Sequence, residues 1–209
     1  MNNQKHSLSP ILLNVPNLIG HVRLLLLFNF VAFDSYDKLS PYSCISMLTA
    51  AIALDVVDGK VARSLGQTSK FGHHYDIILD VMHPLVVYGQ VRHSPILKLF
   101  AGLVAFTAMC WAMLTMGTTT ISWKIDQGQV HYWPARAITQ GGHFTMFGEL
   151  MWYFGYAVPF VVIYALDRGI FPYMYSNPIL PFVFIFSCLN QVSILEHIYF
   201  LVKKLIAIE

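Results

Sequence analysis

Six long apolar stretches set the limits on what this chain can fold into. They run Leu18–Phe33, Tyr42–Leu54 with a more polar continuation to Leu65, Tyr75–Val91, Ile96–Met116, Phe147–Leu166 and Ile179–Ile208. A spanning helix needs about 20 mostly apolar residues, fewer where its polar part is buried in a bundle. Punctuation falls between the stretches: Asp34-Ser35, Ser40-Pro41, Ser94-Pro95, Asp167-Arg168-Gly169 and Asn177-Pro178. The expectation is an all-α, polytopic membrane protein with six transmembrane helices. Residues 1–209 are expected to form a single membrane domain, with a polar, disordered lead-in expected over residues 1–10 and no secretory signal expected there. Pro84 and Pro159 are expected to kink their helices.

Composition supports a lipid-facing surface. Charged residues make up 11% of the chain, against a usual quarter or so, and apolar residues 56%. A soluble helical protein with a large core is the alternative, and so few charges would leave much of its surface uncovered. A formal net charge of +2 with no basic tract does not argue for nucleic acid, and none is expected as a partner. Cys44, Cys110 and Cys188 lie far apart in apolar runs, which reads as buried, inert thiols. With an even number of spans, one side collects Lys5, Arg23, Lys60, Arg63, Lys70, Lys124, Arg136, Lys203 and Lys204. The other holds only Lys38, Arg92, Lys98 and Arg168, so both termini are expected on the cytoplasmic or equivalent side.

Against this apolar background stands DVVDGKVARSLGQTSKFGHHYDIILD, residues 55–80. At 100° per residue Asp55, Asp58, Gly59 and Ala62 share one narrow helix face, with Arg63 at its margin. Asp76 and Asp80, spaced i, i+4, stack on one face of the next helix. Two neighbouring helices can thus aim four carboxylates at one spot. An aspartate at the centre of a spanning helix costs about 2.5–3.5 kcal/mol on insertion scales. Lys60 and Arg63 cannot neutralise all four. Hard divalent cations with oxygen ligands can, and four carboxylates suit a two-metal site of Mg²⁺ or Mn²⁺ ions about 4 Å apart. An ion-pair network near a helix end is the alternative without metal.

The pattern D-x2-D-G-x2-A-R-x8-G-x3-D-x3-D is filled by Asp55, Asp58, Gly59, Ala62, Arg63, Gly72, Asp76 and Asp80. It resembles the signature of the CDP-alcohol phosphotransferase family. The resemblance implies a six-helix membrane fold, usually a homodimer. It also implies transfer of a phosphatidyl group from CDP-diacylglycerol to an alcohol with release of CMP. On that resemblance Asp55, Asp58 and Asp76 look like metal ligands, and Asp80 like the catalytic base that stays near the metals. Asp58, Gly59, Ala62, Arg63 and Gly72 look like the nucleotide contacts.

Pro16-Asn17-Leu18-Ile19-Gly20 followed by Arg23, and Leu65 to Gly72, resemble eukaryotic phosphatidylinositol synthases, as do Ser122 to Asp126 and Gly148-Glu149-Leu150 more weakly. Myo-inositol is therefore the leading acceptor and glycerol 3-phosphate the alternative. That subgroup usually carries an arginine soon after the fourth aspartate and a histidine in the fourth helix. Here the sequence reads Val81-Met82-His83-Pro84 and Met109-Cys110-Trp111-Ala112-Met113. His83, His73 or His74 are candidates to replace the missing donors, and Lys124 and Arg136 to bind the lipid phosphate. Trp111, Trp123, Trp133 and Trp152 read as interfacial anchors. A different class of reading is a catalytically weak, lipid-holding subunit of a larger membrane complex. The endoplasmic reticulum is the expected location and a mitochondrial membrane the alternative.

Overall fold

The computed structural model describes residues 13–118, 137, 139–140, 143–148, 153–170 and 179–206. Its helices are α1 (Val15–Ser35), α2 (Pro41–Ser64), α3 (Lys70–Gln90), α4 (Pro95–Thr118), α5 (Val158–Asp167) and α6 (Ile179–Ile206). A π-helical turn, Tyr153–Ala157, leads into α5. The strands β1 (Thr139–Gln140) and β2 (His143–Phe144) form one short antiparallel pair. The fold is helical; among the described residues each expected apolar stretch overlaps a helix, the fifth chiefly in its second half.

Val15–Ser35, Pro95–Gly117 and Phe184–Ile206 are long and apolar enough to cross a membrane, and Gly155–Asp167 is a shorter apolar helix. Helices α2 and α3 are of comparable length but carry Asp55, Asp58, Asp76 and Asp80, which lowers their apolarity. Three spans are therefore evident from length and composition. The distribution of side chains agrees with a multi-pass membrane protein. Leu25 and Phe28 on α1, Leu99, Leu103 and Phe106 on α4, and Ile185 and Leu195 on α6 are exposed. Arg23, Asp58, Asp80, Ser193 and His197 are buried. Apolar groups face outward and charges inward, the pattern a lipid solvent selects.

Two compact units divide between Asp80 and Val81. In the first, Asn14 caps α1 by accepting from the Asn17 N–H at 3.1 Å, and proline occupies the first turn, where no hydrogen bond is lost. A buried stripe at helical spacing follows: Asn17, Gly20, Arg23, Leu27, Phe30 and Asp34. Ser40 and Pro41 open α2 in the same way, and its Cys44, Leu48 and Ala51 are buried where it packs beside α1. Gly66, at φ +62°, takes the left-handed conformation that ends α2 cheaply. Gln67 then accepts from the Val15 N–H through its side-chain oxygen at 3.1 Å, tying this link to the start of α1. Ser69 starts α3 by accepting from the Gly72 N–H at 2.9 Å.

In the second unit Asp167, the last residue of α5, accepts from the backbone N–H groups of Arg92, His93 and Ser94 at 2.8, 2.8 and 2.9 Å. One carboxylate thus satisfies the donors that lead into α4. Helices α4 and α6 share a polar seam. Thr107 Oγ1 lies 2.6 Å from Gln191 Oε1, and Trp111 Nε1 donates to His197 Nδ1 at 3.1 Å. Gly155 lets the π-helical turn lie against α6: a Cβ there would fall 2.6 Å from the Phe186 carbonyl oxygen.

Several expectations are corrected here. Pro84 lies inside α3, in the helix interior as expected. Pro159 lies in the first turn of α5, and the irregularity expected at it takes the form of the π-helical turn just before. Cys188 is exposed rather than buried, on an apolar helix whose outer face has no need of polar cover. Trp111 is half-buried and donates into the α4–α6 seam. Trp123, Trp133, Trp152 and Glu149 lie outside the described residues.

Candidate active site

The sequence places Asp55 and Asp58 on α2 and Asp76 and Asp80 on α3, and the fold turns all four to one point. Register does this. Ser69 fixes the start of α3, so Asp76 and Asp80 come two and three turns later on one face. Gly20 on α1 admits α3 closely, since a Cβ there would lie 2.7 Å from Tyr75 Cε1. Gly72 does the same at the mouth of the site, where a Cβ would fall 3.1 Å from both Asn17 Oδ1 and Ser69 Oγ.

At the point of convergence sits Arg23. Its Nη2 lies 2.5 Å from Asp55 and 3.1 Å from Asp80, and its Nη1 lies 2.7 Å from Asp58 and 3.0 Å from Asp76. The arginine side chain is fully buried, and the aspartates are 13%, 11%, 42% and 10% exposed in sequence order, so the cluster is most open at Asp76. Arg23, counted above in the charge tally along the chain, is thus the ion-pair partner of all four aspartates. Lys60 and Arg63, the cations that sequence neighbourhood offers, make no ion pair with the aspartates. Among the ion pairs of the described residues, one guanidinium faces four carboxylates, a formal excess of three negative charges.

Asp55, Asp76 and Asp80 each offer an oxygen within 4.8 Å of the others. An all-oxygen set within that reach, carrying surplus negative charge, fits a hard divalent cation such as Mg²⁺ or Mn²⁺ and would not select a thiolate-seeking metal. Asp58 shares the same guanidinium from the α2 side.

The remaining candidates are distributed more widely. Arg63 lies along α2 over Gly59, its Nη1 3.4 Å from where a Cβ of that glycine would be. A Cβ at Gly59 would meet the guanidinium in ordinary contact, and Ala62 is half-buried. His83 is buried, three residues beyond Asp80 on α3. His74 Nδ1 is taken up locally, 2.7 Å from the Lys70 carbonyl oxygen, so that nitrogen is not a spare donor for an acceptor alcohol. Lys124 and Arg136 lie outside the described residues. A neighbouring pair was not anticipated: His21 Nδ1 lies 2.8 Å from the Tyr75 hydroxyl, beside Asp76, and Phe71 stacks on Tyr75. The signal that could have found Arg23 is the buried stripe of α1, in which position 23 falls between Gly20 and Leu27.

Four carboxylates of this motif thus converge on one arginine within an apolar helical fold. Comparison with known proteins gives it a family. The model described as CDP-alcohol phosphatidyltransferase matches residues 13–168, and the chain belongs to that family. It is also 28% identical over 135 residues to the CDP-diacylglycerol–inositol 3-phosphatidyltransferase of Candida albicans, a match covering 60% of this chain and 56% of that protein. The chain thus spans a little over half the length of that relative. No solved structure matches.

Proposed function

We propose that the chain transfers a phosphatidyl group from CDP-diacylglycerol to a small alcohol, with myo-inositol as the acceptor, and releases CMP. The observation that carries this reading is the convergence of Asp55, Asp58, Asp76 and Asp80, the acidic positions of the complete family motif, on one buried point. Support for inositol comes from the Candida albicans relative, whose name states that acceptor.

In chemical terms the acceptor hydroxyl oxygen forms a bond to the phosphorus that carries diacylglycerol. The bond from that phosphorus to the CMP oxygen breaks, and the hydroxyl proton passes to Asp80. Asp55, Asp58 and Asp76, with Asp80 close by, would hold the divalent ions that the family generally uses. Bound Mg²⁺ or Mn²⁺ would supply charge stabilisation at the pyrophosphate. Gly59 and Ala62 leave room for the nucleotide against α2, Arg63 reaches its phosphate, and Gly72 keeps the start of α3 tight beside it. The apolar outer surface of α1 keeps the diacylglycerol tails in lipid while the headgroup reaches Asp76, the most open of the four. A homodimer in the endoplasmic reticulum membrane is the assembly and location proposed.

Purified protein supplied with CDP-diacylglycerol and, in turn, myo-inositol and glycerol 3-phosphate tests the proposal through CMP release. Release with inositol is the expected result. Release with glycerol 3-phosphate alone keeps the reaction and replaces the acceptor. No release with either, together with co-purification of other membrane subunits, would favour a lipid-holding structural subunit instead.

A further inference from the structure

We infer that Arg23 is the built-in counter-ion of the acidic cluster: it gathers the four carboxylates before a cation arrives, and then competes with that cation for them. The inference deepens the proposed function and rests on its metal reading.

The geometry is specific. Arg23 comes from α1, whereas the carboxylates come from α2 and α3. Both of its terminal nitrogens are spent on aspartates, two contacts each at 2.5–3.1 Å. Its Nε has no hydrogen-bond partner among the described residues. What holds the guanidinium in place is therefore the carboxylates themselves. A guanidinium keeps its charge at any physiological pH and offers a planar fork of donors, so it can bridge several carboxylates at once where an ammonium would act as a point charge. Without it, four aspartates would crowd one buried point with no partner from Lys60 or Arg63, and burial makes such repulsion severe. The same closeness sets up competition. A divalent cation drawn to Asp55, Asp76 and Asp80 enters the space that Arg23 commands, so the two positive groups oppose each other. Arg23 is thus a positioning residue that acts through the carboxylates.

The test uses the full-length protein in detergent, comparing wild type with Arg23→Gln. Two quantities are read: the thermal midpoint in EDTA and in saturating Mn²⁺, and the affinity for Mn²⁺ from the electron paramagnetic resonance of the free ion. The variant should melt about 10 °C lower in EDTA. Saturating Mn²⁺ should close most of that gap. Its Mn²⁺ affinity should rise roughly tenfold, because a like charge has been removed from the site. A purely structural arginine would lower stability equally with and without Mn²⁺ and leave affinity unchanged or weaker, and that outcome overturns the inference. Should Arg23→Gln fail to accumulate, the double variant Arg23→Gln, Asp76→Asn relieves one of the stranded charges and should accumulate. Its failure to do so also overturns the inference. Absence of Mn²⁺ binding by the wild type removes the metal reading and the inference together, whereas wild-type binding with the structural pattern in the variant removes the inference alone.

Discussion

Asp80 and Asp167 are both buried carboxylates in a chain with few charges, and their surroundings differ in one countable respect. Asp167 has three backbone N–H groups to itself, at 2.8–2.9 Å. Asp80 shares a single guanidinium with Asp55, Asp58 and Asp76. The first carboxylate is fully satisfied by its own chain and acts as a staple between the end of α5 and the start of α4. The second belongs to a group whose charge the described protein does not balance. The Asp55, Asp76 and Asp80 oxygens of that group lie within 4.8 Å of one another, an all-oxygen set whose chemistry fits a hard divalent cation. Degree of burial does not separate the two. The donors do: neutral backbone N–H groups for Asp167, and a cation shared with three other carboxylates for Asp80.

The contrast can be broken by substitution. The largest effect belongs to the site: Asp80→Asn should lower CMP release from CDP-diacylglycerol at least about 100-fold, in the upper part of what a general base contributes. The same change removes one of four crowded negative charges, so the thermal midpoint in EDTA should hold or rise. An unchanged rate would refute the role given to Asp80. A smaller effect with the opposite character belongs to the staple. Asp167→Ala strands three N–H donors and should destabilise the fold by about 1–3 kcal/mol, read as a lower thermal midpoint. CMP release per folded molecule should stay unchanged. If Asp167→Ala abolished turnover while leaving stability intact, the division between staple and site would fail.

The two regions also differed in how much of them could be read beforehand. Asp55, Asp58, Asp76 and Asp80 were legible because charge inside apolar helices is costly and their spacing puts them on facing surfaces. Arg23 was not, because its sequence neighbours are apolar and a lone arginine near a helix start reads as a sign of sidedness. Its partners lie on α2 and α3, a relation that only packing supplies. Asp167-Arg168-Gly169 read as loop punctuation, and the turn does end α5 there, with Gly169 at φ +64°. That Asp167 reaches back to residues 92–94 is a long-range bond no local pattern encodes. The helices themselves were legible from apolar runs, including the polar end of α2. The π-helical turn before Pro159 was not, since a proline announces an irregularity without fixing its form. The polar seam of Thr107, Trp111, Gln191 and His197 was likewise hidden, because each residue looked like an isolated polar group in an apolar run.

The most direct measurement is CMP release from CDP-diacylglycerol by the purified wild-type chain, followed through EDTA treatment and then addition of Mg²⁺ or Mn²⁺. Phosphatidyl transfer at a cation-loaded aspartate cluster predicts release that stops when the chelator is added and returns with either ion. Release that continues undiminished in EDTA would contradict a site built from carboxylates waiting for a metal.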